Sequence, residues 1–221
     1  YAANKLYPCG VELSLLLESC TGYTKEEWEL CDDLNYVQPG VDKMSNAAKY
    51  LLHNDFLIGL LDYNTPEHAG EVYRKLLPQF EKMAEKDSPF SYLFVLIRKS
   101  TYGKRLHRAY QNKDMATMKE MVTELAEIKK DLEEFYRTYR SQWMKENKSL
   151  GFEVIDVRVG SLISRVETVT ELLNDYLAGQ SEKVYELEEE HLEYFCNQLT
   201  GDNVYAPVHH IWQTMYTINL L

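Results

Sequence analysis

The sequence predicts an all-α fold: a multi-helix, mostly antiparallel, bundle-like domain built around one long central helix. Three observations carry this prediction. Helix breakers are scarce, with 10 Gly and 6 Pro in 221 residues, while Leu, Glu, Lys and Met are abundant, which favours helix on intrinsic propensity. Apolar and aromatic residues recur at three- and four-residue steps from Met118 to Tyr139, the period of one helix face. Helix start and stop signals punctuate the chain, so that helices of up to roughly 34 residues joined by short turns follow, and a bundle is their natural packing.

The elements run in this order. Residues 10–40 read as one or two short helices. Thr24-Lys25-Glu26-Glu27 forms a capping box, in which the Thr hydroxyl and the Glu carboxylate each accept from an otherwise unpaired amide. Gln38-Pro39-Gly40 closes that region as a turn. A compact helical stretch covers Ser45–Asp62. Thr65-Pro66-Glu67 is a further start, with Thr as cap and Pro at the first helical position. Its helix runs to about Glu85, and Pro78 predicts a kink or break within it. Ser88-Pro89 opens a helix through about Tyr110. The longest element is Asp114–Asn147, whose stripe of Met118, Met121, Val122, Leu125, Ile128, Leu132, Phe135, Tyr136 and Tyr139 reads as core rather than as a cofactor box. Around 149–157, Gly151 and the alternation Phe152-Glu153-Val154-Ile155 suggest a short extended connector. A helix over Val159–Ala178 ends at Gly179 as a left-handed cap, and Ser181-Glu182 starts another through about Leu199. The tail Val204–Leu221 fits a strand or a last helix equally well.

Composition narrows the function. The net charge of −11 argues against a polyanionic partner, because nucleic-acid binding needs a clustered basic face. The densest basic stretch, Arg98 to Arg108, is short and interleaved with hydrophobic residues. No apolar run approaches the ~18–20 residues of a membrane span; the longest are Phe56–Leu61 and Tyr92–Ile97. Neither nucleic acid nor membrane is therefore expected as a partner. The chain opens at Tyr1-Ala2-Ala3-Asn4, as a fragment of a longer polypeptide would, so the terminus does not reveal localisation; without a signal segment the reading leans to the cytoplasm. Cys9, Cys20, Cys31 and Cys196 are too sparse for a disulfide scaffold and contain no C-x-x-C pair, so they read as reduced, buried thiols.

Candidate chemistry is thin. Glu188 and His191 form one Glu-x-x-His pair, but a di-metal bundle needs two such pairs and two more inward glutamates. The pair lies in the acidic run Glu186–Glu193, which reads as a solvated helix face. His209 and His210 are adjacent, so on a regular element they point in different directions. His53-Asn54-Asp55 is polar within an apolar stretch and calls for a packing or interface role. Glu153, Asp156, Arg158 and Arg165 sit among Val154, Ile155, Val157, Val159 and Ile163, which predicts a partly buried ion-pair network with a carboxylate on Arg158. There is no Gly-x-Ser-x-Gly elbow, phosphate loop or dinucleotide fingerprint. No catalytic, cofactor-binding or metal-ligating residue is assigned, and no cofactor is expected.

Two longer motifs carry a resemblance. One is Lys49-Tyr50-Leu51-Leu52-His53-Asn54-Asp55 followed by Gly59-Leu60-Leu61-Asp62, with His53 standing where an aromatic is expected. The other is Gly151-Phe152-Glu153-Val154-Ile155-Asp156-Val157-Arg158-Val159-Gly160, then Leu162-Ile163 and Arg165. Their order and separation, with Trp143 and Trp212, resemble the helical C-terminal domain of a bacterial branch of glycoside hydrolase family 20, the exo-β-N-acetylhexosaminidases. The resemblance covers nearly the whole chain and implies one helical domain over 1–221, an appendage to a catalytic (β/α)₈ barrel that precedes it in the same polypeptide. In that family an adjacent Asp-Glu pair on the barrel removes terminal N-acetylhexosamines, the Glu as general acid and the Asp orienting the substrate's own acetamido nucleophile. This sequence has no Asp-Glu dipeptide, no Gly-Gly and no strand–helix alternation, so those roles transfer to no position here. The implied partner is that barrel. The aromatic-rich composition, 17 Tyr included, suits a docking surface and is compatible with a homodimer. A free-standing helical interaction module is the alternative from a different class.

Overall fold

A computed structural model of the chain describes residues 23–34, 47–59, 61–62, 65–86 and 88–189. Among these residues there is no strand. The helices are α1 (Lys25–Asp33), α2 (Ala47–His53), α3 (Ala69–Phe80), α4 (Ser88–Lys99), α5 (Tyr102–Gln111), α6 (Met115–Glu146), α7 (Glu153–Leu177) and the single turn α8 (Tyr185–Glu188). None is long and apolar enough to cross a membrane.

The start and stop signals act as the sequence suggests at the best-capped ends. Thr24 N–H donates to Glu27 Oε2 at 2.8 Å and Glu27 N–H to Thr24 Oγ1 at 3.2 Å, the reciprocal capping box ahead of α1. Asp114 Oδ1 accepts from Thr117 N–H at 3.0 Å at the head of α6, and Asn147 N–H closes its last turn on Trp143 O. Gly179 follows α7 with φ +72°, the left-handed conformation that favours glycine.

Elsewhere the elements depart from expectation. Thr65 does not cap α3; its hydroxyl donates to Leu61 O at 2.8 Å, and the helix begins only at Ala69, after His68. Pro78 neither breaks nor ends α3, which reaches Phe80 and then tightens into a 3₁₀ helix over Glu81–Lys86. The helix expected from Ser88 to Tyr110 is two, separated at Ser100-Thr101. The extended connector near 149–157 is absent: residues 149–152 form a tight turn, with Phe152 N–H bonded to Ser149 O at 3.1 Å, and α7 already begins at Glu153. A four-residue apolar–polar alternation is too short to distinguish a strand from a helix's first turn, and Gly151, at φ +99°, supplies the reversal.

That turn folds α7 back along α6. Tyr136 O–H donates to Asp156 at 2.7 Å near the turn, and Lys129 donates to Glu167 at 2.7 Å two turns further along, which fixes the antiparallel register. On another side α4 runs antiparallel to α6, with Ser91 and Thr138 sharing a buried hydroxyl bond at 2.8 Å and Arg98 Nε donating to Asp131 at 2.8 Å. Met118, Met121, Leu125, Ile128 and Leu132 of the α6 stripe are buried, with Val122 partly so, and join Leu106, Val166, Val169 and Leu173 in one core. A second core holds Tyr73, Phe80, Leu93 and Leu96 between α3 and α4, and Tyr92 packs against both. Each such side chain withdrawn from water contributes about 1.5–3 kcal/mol, so the α4–α6–α7 layer is the framework on which the remaining elements hang.

Candidate functional site

Where α2 ends at His53, the chain enters a buried loop that cannot continue the helical hydrogen-bond ladder. Polar side chains replace it. Asp55 Oδ2 accepts from the N–H groups of Leu57 and Ile58 at 3.2 and 3.1 Å. Asn54 Oδ1 accepts from Leu61 N–H at 3.1 Å, and Asn54 Nδ2 donates to Asp62 Oδ1 at 2.7 Å. This satisfies the loop while Phe56 and Leu57 enter the core. Two glycines make room for it. An ideal Cβ on Gly59 would lie 2.5 Å from Asn54 Nδ2 and 2.6 Å from Asp62 Oδ1, and one on Gly103 would lie 2.7 Å from Asp62 Oδ2. The break between α4 and α5 allows Gly103 to press against that carboxylate.

Two cations from distant helices lock the loop. Arg165 of α7 donates through Nε to Asp55 Oδ1 at 3.0 Å and through a second nitrogen to Oδ2 at 3.1 Å. Lys99 of α4 donates to the carbonyls of Leu51, at 3.3 Å, and Asn54, and lies over the Phe56 ring at 4.5 Å. Burial pushes the Asp55 carboxyl up, but the Arg165 guanidinium and the two backbone N–H groups outweigh it and hold the group below its ordinary range. Burial takes the Lys99 ammonium down to about 8 against the pull of Asp55 and Asp62. His53 falls well below 6.5, first through burial and then through the positive charges of Lys99, Arg158 and Lys49. Its ring is neutral at pH 7.

Beside this knot lies a cavity of about 580 Å³. His53, Lys49 and Arg158 stand on its wall, as do Tyr139 and Trp143 of α6 and Cys31 of α1. The aromatic side is built by helical spacing: Phe135 stacks on Tyr139 with centroids 5.6 Å apart, and Tyr139 meets Trp143 edge-on at 6.3 Å. The stripe read from sequence as core is core along its length, and Phe135 and Tyr139 also line the cavity. Burial raises the Cys31 thiol to about 11, reinforced by Glu27, so it is protonated at neutral pH. Tyr23, on the same wall, is raised by burial to about 12 against a hydrogen bond from Gln142. Among the described residues, Glu146 is the one carboxylate that lines the cavity.

The sequence-derived candidates divide between these places. His53-Asn54-Asp55 has a packing role, as its polarity in an apolar stretch suggested. Of the charged residues expected to pair within 153–165, Arg165 reaches beyond that stretch and clasps Asp55. Asp156 accepts from Tyr136, Glu153 accepts from Gly151 N–H at 2.6 Å, and Arg158 faces the cavity. Glu188 accepts from Tyr110 O–H at 2.5 Å and so ties α8 to α5 instead of facing only water. His191, His209, His210, Cys9, Cys20 and Cys196 lie outside the described residues. Lys99 and Gly103 were not singled out from sequence, and Asp62 stood there only as part of the motif that carries the family resemblance. The available signal was a lysine two residues after the apolar run Tyr92–Ile97.

Compared with known families, residues 27–204 match the Glycoside Hydrolase 20C C-terminal domain. No curated protein matches the chain.

Proposed function

The chain belongs to the glycoside hydrolase 20C C-terminal domain family, and on that premise we propose that residues 1–221 form the helical accessory domain of a β-N-acetylhexosaminidase. The parent enzyme removes terminal non-reducing N-acetylhexosamines from glycans on a preceding barrel, and this domain supports the barrel or the oligomer. The observation that carries the reading is the family match over most of the chain.

Two features support a supporting role. The Asp55 knot ties the end of α2 to α4 and α7. The α6–α7 turn also presents an apolar surface: Leu150 is 83% exposed, and Met144, Val154 and Val157 are exposed beside it in sequence. Exposed apolar residues gathered at one end of a helical hairpin suit docking to another domain.

The test compares this 221-residue chain with the full-length protein on a chromogenic N-acetylglucosaminide. The full-length protein hydrolyses it and the isolated chain does not. Failure of the full-length protein to cleave any N-acetylhexosaminide overturns the assignment.

A further inference from the structure

We propose that the tip of the α6–α7 hairpin is an interface between two copies of this chain, packed about a two-fold axis with Leu150 at its centre. Exposed large hydrophobics gather there: among the described residues, Met144, Leu150, Val154 and Val157 are four of the six. Leu150 is the most exposed and stands in the turn itself, while Val154 and Val157, three residues apart on α7, share one face. The Trp143 and Phe152 rings, with centroids 5.7 Å apart, and the Tyr136–Asp156 bond hold the end of α6 against the start of α7. The four apolar side chains therefore stand at one end of the hairpin.

Charge selects the occupant. The last turn of α6 carries Lys145, with Lys148 just after it, and the first turn of α7 carries Glu153 and Asp156. The two helix dipoles favour this arrangement, and in an antiparallel hairpin it makes the tip basic on the α6 side and acidic on the α7 side. All four residues are exposed. Elsewhere on these helices exposed charges are spent within the chain, Lys129 on Glu133 and Glu167, and Arg137 on Glu134. Among the described residues, Lys145 and Lys148 make no ion pair, and Glu153 and Asp156 take neutral donors, Gly151 N–H and Tyr136 O–H. The other two charges of residues 145–158, Glu146 and Arg158, line the cavity. A two-fold rotation about Leu150 lays the basic side of one tip on the acidic side of the other, and does so twice, because an isologous contact repeats each pairing. A net charge of −11 makes most of the surface resist self-association, and the tip reverses that repulsion locally. An unrelated partner needs both signs in the same order, whereas a second copy supplies them by symmetry. The inference rests on the supporting role proposed above, which it narrows to the oligomer. Its test uses the 221-residue chain without the barrel, so it can fail while the glycosidase reading stands.

Sedimentation equilibrium of the 221-residue chain over a concentration series finds a monomer–dimer equilibrium with no larger species. Leu150→Asp weakens the dimer by about thirtyfold or more, the loss of a central anchor. Glu153→Lys with Asp156→Lys weakens it too, as does Lys145→Glu with Lys148→Glu. The variant carrying all four changes recovers it to within about threefold of the unmodified chain, a recovery that loss of folding cannot produce. A chain that is monomeric up to about 0.5 mM leaves the tip to another partner, such as the barrel, and overturns the proposal. So does a Leu150→Asp variant that dimerises like the unmodified chain, association that runs past the dimer, or a four-site variant that stays dispersed.

Discussion

Arg165 and Asp55 stand 110 residues apart in sequence and meet through two parallel hydrogen bonds of 3.0 and 3.1 Å. Only 3% of the Asp55 side chain and 23% of that of Arg165 remain exposed. Glu186 approaches the same guanidinium at 3.9 Å, so the clasp joins the buried loop, α7 and the start of α8.

Removing one partner leaves a buried carboxylate facing apolar loop residues. Arg165→Ala therefore lowers stability by about 3 kcal/mol in urea melts. Arg165→Lys recovers only part of the loss, because an ammonium cannot reproduce the two-point geometry. A loss below about 0.5 kcal/mol for Arg165→Ala would show that the clasp does not hold the loop.

The glycines give an internally controlled comparison. Gly59→Ala and Gly103→Ala force a methyl group against the Asp62 carboxylate and each cost about 1–3 kcal/mol. Gly160, in the middle of α7, has no neighbour within 4 Å of an added Cβ. Gly160→Ala should stabilise by about 0.5–1 kcal/mol through helix propensity alone. Thermal melts of the three variants check this, and three equal effects would contradict the packing described.

The knot also sets the response to acid. His53 has a folded-state pKa well below its ordinary 6.5, and Asp55 has one below its ordinary 3.8. In both cases the unfolded chain takes up the proton first, so stability is fully present above the ordinary value and is lost as pH falls through the folded one. Chemical denaturation at a series of pH values should show a decline beginning below pH 6.5, with a second loss below 3.8. His53→Asn removes the first decline and keeps the second. A wild-type profile flat from pH 7 to 5 would contradict the burial of a neutral His53.

Much of the fold was legible because local rules and packing agree. The caps of α1 and α6 and the Gly179 stop use side chains whose partners lie within a few residues, and the α6 stripe repeats long enough to define one face. The departures share a cause. The Ser100-Thr101 break and the displaced start of α3 are set by tertiary contacts: Gly103 must reach Asp62, and Thr65 bonds back to Leu61. The candidate site was legible as residue types but not as partners. His53-Asn54-Asp55 announced itself by polarity in an apolar stretch, whereas nothing local marks Arg165 and Lys99 as its counterions. Sequence proximity suggested partners within 153–165 or on a neighbouring helix, without indicating which helix. The basic stretch Arg98–Arg108 likewise proves to be spent on internal bonds, Arg98 to Asp131, Arg105 to Glu124 and Arg108 to Glu67.

The proposed accessory role separates support of an N-acetylhexosaminidase from participation in its chemistry. The most direct measurement compares the full-length enzyme with one lacking residues 1–221, recording kcat per folded molecule on a chromogenic N-acetylglucosaminide beside thermal inactivation and sedimentation. An accessory role leaves kcat unchanged in the truncated protein, with faster inactivation or loss of the native assembly. A truncated enzyme that keeps full stability and assembly while losing kcat would contradict it.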